Sequence, residues 1–146
     1  IKLCKKTKIL FPNQKIKFIN ADIGSPIELN LIMDKLTKIQ IPNINIYCRF
    51  FLHAVSEEIQ NDLLINLKKF SKKIPINLFL EFRTTKDEKL SKETKKHFRR
   101  YIEPSNIIKS ATKIGYKLNY NVEGFGFAKY LNDDAYVARI IFSHYE

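Results

Sequence analysis

Three consecutive runs decide the fold class: Asn45-Ile-Tyr-Cys-Arg-Phe-Phe51, Ser56-Glu-Glu-Ile-Gln-Asn-Asp-Leu-Leu-Ile-Asn-Leu-Lys-Lys-Phe-Ser71 and Pro75-Ile-Asn-Leu-Phe-Leu-Glu-Phe82. The first is rich in β-branched and aromatic side chains and reads as a buried strand. In the second, Ser56 is placed to cap a helix. Glu57 and Glu58 fall in its first turn, and Lys68, Lys69, Lys72 and Lys73 at its end, which suits the helix dipole. Its apolar face is Ile59, Leu63, Leu64, Leu67 and Phe70, at helical spacing. Pro75 then opens a strand through Ile76, Leu78, Leu80 and Phe82. A strand, a helix and a second strand in this order predict a parallel crossover.

Working outward, residues 16–21 predict a short strand after the Phe-Pro-Asn turn at 11–13, and residues 22–26 a loop. A helix is expected over about 27–39, carried by Ile27, Leu31, Ile32, Met33 and Leu36. Beyond Phe82, residues 84–103 form a charged connection with few apolar anchors until Phe98, Tyr101 and Ile102. A polar connection of that length in a compact domain is often functional. Ser105 is expected to cap a short helix carrying Ile107, Ile108, Ala111 and Ile114, with Gly115 just past its end. Tyr116–Val122 and Tyr136–Ser143 read as strands, expected to pair antiparallel at one edge. The fold class is therefore α/β: a mostly parallel sheet in one domain spanning residues 1–146, with a C-terminal antiparallel strand pair.

Apolar residues make up 45% of the chain and charged residues 28%, a globular composition that argues against global disorder. No apolar run is long enough to span a bilayer. Two cysteines, Cys4 and Cys48, supply neither a disulfide framework nor metal-ligand spacing, so no metal is expected and a reducing cytoplasm is the simple reading. The formal net charge is +11. That charge admits a nucleic-acid partner, but the lysines sit mostly on predicted helix surfaces and ends, and basic charge alone is a weak footprint. The chain opens at Ile1 with a run that reads as the end of an amphipathic helix without a preceding cap, so a segment upstream is expected.

The stretch Tyr47-Cys-Arg-Phe-Phe-Leu-His-Ala-Val55 resembles the segment after the fourth strand of class I S-adenosylmethionine-dependent methyltransferases. Phe79-Leu-Glu-Phe-Arg-Thr-Thr-Lys-Asp87 resembles the fifth strand and its loop, and His97-Phe-Arg-Arg-Tyr-Ile102 the substrate-facing loop that follows. Ile114-Gly-Tyr-Lys-Leu118 is similar to the helix-end glycine and sixth strand, and Phe18-Ile-Asn-Ala-Asp-Ile23 to the end of the third strand. The pieces occur in the family's order over nearly the whole chain. The family's first strand, its Gly-rich turn and the acid that ends its second strand have no counterpart among these residues. The four glycines, at 24, 115, 124 and 126, form no such turn. The resemblance therefore implies a Rossmann-like sheet, incomplete at its N-terminal strands, and half of a cofactor site, completed by an upstream segment or a partner chain. A closer likeness is to small-molecule methyltransferases encoded with surface-polysaccharide biosynthesis.

The same resemblance implies a role for single residues. Ala21, Asp22 and Ile23 fall where the adenine of S-adenosylmethionine is met, Asp22 through its carboxylate. Arg49 and Phe50 line the methionine part of the cofactor. His53, Glu81 and His97 are the catalytic candidates, since a neutral imidazole suits proton acceptance near pH 7. Arg83, Arg99, Arg100 and Tyr101 are the substrate candidates, because guanidinium pairs bidentately with phosphate or carboxylate. Of the adjacent Arg99 and Arg100, at least one should face away from the ligand. Arg139 is expected to pair with Glu81 or Glu123. The expected activity is methyl transfer to an oxygen, less readily a nitrogen, of an anionic small molecule, such as a phosphorylated or sugar-linked precursor. Two alternatives are an RNA-binding or RNA-modifying protein of the same fold, and a non-catalytic subunit that completes a partner.

Overall fold

The computed structural model describes residues 17–93 and 97–144. Its elements are α1 (Pro26–Thr37), β1 (Ile44–Arg49), α2 (Glu57–Ser71), β2 (Ile76–Arg83), α3 (Pro104–Lys113), β3 (Lys117–Gly124), β4 (Lys129–Tyr130), β5 (Asp133–Asp134) and β6 (Val137–His144). Short 3-10 turns at Leu52–Ala54 and Thr85–Asp87 follow β1 and β2. The four longer strands form one sheet in the order β1-β2-β6-β3, and β4 pairs with β5 apart from it. Among the described strands, β1 and β2 pair parallel. β6 returns antiparallel between β2 and β3, so the sheet is mixed rather than mostly parallel. The last two strands do pair antiparallel, with β3 at the edge.

Residues 17–20 form no strand, whereas a strand was expected over 16–21; the rest of the expected N-terminal elements, and Cys4, lie outside the described residues. Ser56 caps α2, its hydroxyl accepting from the Ile59 N–H at 3.2 Å. Ser25 does the same for α1, accepting from Glu28 N–H at 3.5 Å, with Pro26 in the first turn. α3 departs from expectation. It opens at Pro104 rather than after Ser105, and the N-cap Glu103 makes no side-chain capping bond. Gly115 ends α3 at φ 101°, a conformation that favours glycine, and a Cβ there would stand 3.2 Å from His144 Nε2, so that ring would have to give way.

One sheet face holds the core. Ile76, Leu78, Leu80 and Phe82 of β2 and Ile140 and Phe142 of β6 pack with Leu63, Leu64, Leu67 and Phe70 of α2, with Leu29 and Met33 of α1, and with Ile107 and Ala111 of α3. Tyr116 reaches this layer and donates from its hydroxyl to the Leu64 carbonyl at 3.0 Å. On the opposite face, Tyr47, Phe79, Ile141 and Tyr120 stand in register across all four strands, with Tyr47 and Tyr120 exposed. The next row on that face is Arg49, Glu81, Arg139 and Val122. Glu81, placed by sequence among the catalytic groups, is here a buried counter-ion. It is 1% exposed and accepts from Arg49 Nε at 2.8 Å and Arg139 Nε at 2.7 Å. Of the two partners expected for Arg139, Glu81 is the one it takes.

Candidate functional site

β1 and β2 end side by side, and the chain leaves both in tight turns, so a crevice opens at their carboxyl ends. A cleft of about 540 Å³ lies there, lined by Arg49, Phe50, His53, Arg83, Arg99 and Lys129 among others, with Tyr130 and Asp133 of the β4–β5 hairpin on its far wall. Phe50 carries the bend out of β1. Its N–H still bonds the Glu81 carbonyl at 2.8 Å, extending the parallel ladder, but its φ is +53°. A bulky residue in the left-handed region is strained, and such strain concentrates at functional sites. The bend sets the Phe50 ring 5.0 Å beneath the Arg49 guanidinium and 5.2 Å from the His53 ring.

His53 sits in the turn after that bend and is 6% exposed. Its Nδ1 accepts from the Arg83 N–H at 3.3 Å, and its carbonyl accepts from the Arg100 N–H at 2.8 Å. Burial first, then the positive charges of Arg99 and Arg83, push its pKa down to about 4. The ring is therefore neutral at pH 7. With Nδ1 accepting, the single ring proton belongs on Nε2, so the imidazole donates there. A general-base role for His53 does not follow from this geometry.

Arg83 was expected to hold substrate. Instead its guanidinium bonds Asp87 Oδ2 and Asp133 Oδ2, each at 2.7 Å, and its side chain is 9% exposed. Asp87 also accepts the Tyr136 N–H at 2.7 Å and lies 3.2 Å from Lys92 Nζ. Arg83 thus ties the end of β2 to the following turn and to the hairpin. Arg99 and Arg100 diverge as neighbours should. Arg99 lines the cleft, with Nη2 3.2 Å from His97 Nε2. Arg100 turns toward α2 and donates to Gln60 Oε1 at 2.7 Å. Tyr101 lies with Arg100 on a separate small cavity of about 110 Å³, its ring 5.5 Å from Lys92 Nζ, so neither residue lines the cleft.

A second, apolar groove of about 390 Å³ runs beside β1, lined by Ile23, Met33, Ile46, Cys48, Arg49 and Phe51 among others. Of the residues expected at a cofactor, Ile23 and Arg49 line this groove, and Arg49 and Phe50 line the cleft. Ala21 and Asp22 line neither. Asp22 is exposed, and its Oδ1 accepts the Gly24 N–H at 2.9 Å. Burial raises the Cys48 thiol to about 11, so it stays protonated at neutral pH. Lys129, Tyr130 and Asp133 were not singled out from sequence. The hairpin that brings them in is too short to leave a strand signal.

No family model matches the chain, and no curated protein sequence matches it. Among solved structures, the fold is similar to that of a SAM-dependent methyltransferase from Anabaena variabilis ATCC 29413, at a TM-score of 0.61 and 17% identity over 94% of this chain. The match spans 63% of that protein's length. At that identity the likeness is one of fold: a mixed α/β, methyltransferase-like sheet with a separate antiparallel strand pair.

Proposed function

We propose that this domain takes part in methyl transfer from S-adenosylmethionine to an anionic small molecule held in the cleft at the ends of β1 and β2. One observation carries the reading: on a methyltransferase-like fold, this crevice gathers positive charge that its own carboxylates do not cancel. Glu81 is shared by Arg49 and Arg139, which leaves that trio one charge positive. Asp87 and Asp133 are matched by Arg83 and Lys92, and Lys129 lines the cleft as well. Charge of one sign in a recess concentrates ligands of the other.

The groove beside β1 suits part of the cofactor. Ile23, Ile46 and Cys48 offer flat apolar contact for the base, and Arg49, between groove and cleft, would face the methionine carboxylate. Among the described residues that line the groove, none is a carboxylate for the ribose hydroxyls. When bound, S-adenosylmethionine supplies a methyl group on a sulfonium. The protein's part is to hold the acceptor in line with it.

Calorimetric titration of S-adenosylmethionine tests the cofactor half. Saturable binding is expected. Arg99→Gln should leave it unchanged. On the acceptor side, Arg99→Gln should lower kcat/KM roughly ten- to a hundred-fold, as a charge-assisted hydrogen bond of about 1.5–3 kcal/mol implies, and Arg100→Gln should not. Absence of any cofactor binding refutes the reading.

A further inference from the structure

We propose that the cleft binds a ring-bearing carboxylate already ionised, and that this carboxylate is itself the methyl acceptor. The inference rests on the function proposed above and names its substrate class. An alcohol or amine acceptor must give up a proton, and among the described residues at the cleft no carboxylate or imidazole is placed to take it. Arg49, Arg83, Arg99 and Lys129 are donors only. His53 spends its acceptor nitrogen on the Arg83 N–H and is left with a donor. His97 receives the Arg99 guanidinium at Nε2, which can only donate, so there too the accepting nitrogen is engaged. Asp133 is 6% exposed and bonded through both oxygens to Arg83, at 2.7 and 3.5 Å. Glu81 does not line the cleft and is held by two arginines.

The same groups suit a preformed oxyanion well. Arg99, whose Nη2 donates to His97 Nε2, and Lys129 bring positive charge to the cleft wall. Phe50 and Tyr130 put two rings beside them, which suits a flat or puckered ring bearing the carboxylate. Transfer to a carboxylate oxygen forms one O–C bond and breaks one S–C bond, whose electron pair stays on the thioether sulfur. No proton is released, so no base is required.

The shared chemistry is a carboxylate on a ring, aromatic or sugar. Ligand-observed NMR with the protein would compare benzoate with benzamide, and glucuronate with glucuronamide, with phenyl phosphate as a further probe. At least tenfold tighter binding of one carboxylate than of its amide is expected, lost in Arg99→Gln. The benzoate and glucuronate arms then separate the two sources. Equal binding of acid and amide, or phenyl phosphate binding without either carboxylate, overturns the proposal. Each ring acid, with its alcohol and amine counterparts, would next be offered with methyl-labelled S-adenosylmethionine. Label released as methanol by mild alkali marks an ester and supports the proposal. Alkali-stable label on an alcohol or amine overturns it while leaving methyl transfer intact, and so does bound carboxylate with bound cofactor and no label. Failure to bind S-adenosylmethionine strikes the function reading instead, and the acid–amide comparison still decides the anion site.

Discussion

Replacing Arg83 with methionine separates its two readings, structural tie and substrate ligand. In the structure, the guanidinium joins Asp87 and Asp133 at 2.7 Å each, and the three side chains are 9%, 0% and 4% exposed. Methionine keeps much of the length and none of the charge, so two carboxylates stay buried without the cation that balanced them. Breaking one buried pair by removing a partner costs about 3–5 kcal/mol. Lys92, 3.2 Å from Asp87, continues to compensate one carboxylate, so the loss should stay near one pair's worth rather than two. For a domain of this size each kcal/mol moves Tm by roughly 2–4 °C, so a fall of about 10 °C is expected. Thermal unfolding followed by circular dichroism measures it. Arg83→Met combined with Asp133→Leu should recover part of the loss, because removing both partners leaves no stranded charge. A fall of less than about 3 °C with weakened acceptor binding would refute the reasoning and return Arg83 to the ligand.

Two further outcomes can be checked in the same way. Leu131 opens the two-residue turn between β4 and β5 at φ +54° and is 77% exposed, so it contributes strain and little packing. A turn with positive φ at its first central residue prefers glycine there, and Leu131→Gly should stabilise the protein by about 0.5–1 kcal/mol in urea unfolding; a loss would show that the side chain is needed. His53 should make the protein acid-sensitive. Its pKa is lowered in the folded state, to about 4 from 6.5, so the unfolded chain takes the proton first. The stabilisation is complete above pH 6.5 and is lost as pH falls toward 4. Screening by water in the cleft reduces the amount to roughly 1–2 kcal/mol. His53→Asn, which keeps an acceptor for the Arg83 N–H, should lose less stability than the parent between pH 7 and 4.5; equal losses would remove His53 from the acid response.

The elements around α2 were legible because each had a local cause. Ser56 caps, the acidic and basic turns sit at the ends that favour them, and the apolar face from Leu63 to Phe70 repeats at 3.6 residues. Gly115 was legible for the same reason, since its position past α3 demands positive φ. The order of the sheet was not. Nothing within Val137–His144 says that it inserts between β2 and β3. Its Ile140 and Phe142 read as a buried strand wherever they go, and only the register against Leu80 and Leu78 fixes the place. The start of α3 was misjudged because Ser105 is a good cap in isolation, whereas Pro104 is a better first residue, with a missing N–H that costs nothing there.

At the site, the sequence shows residue type and charge, and it does not show direction. Arg83, Glu81 and Arg99 look alike as polar groups at or after a strand end. Their roles separate only by what they meet across long sequence distance. Asp133 is fifty residues from Arg83, and Arg139 is fifty-eight from Glu81. A strand places successive side chains on opposite faces, so Glu81 points to the row of Arg49 and Arg139 and away from Leu80 and Phe82. That alternation was available from the sequence, but the partners were not. Once both partners are in place, the acids of the region are committed to arginines and the imidazoles to donors. On the function proposed above, the described residues of the cleft then serve recognition of an anion rather than its creation.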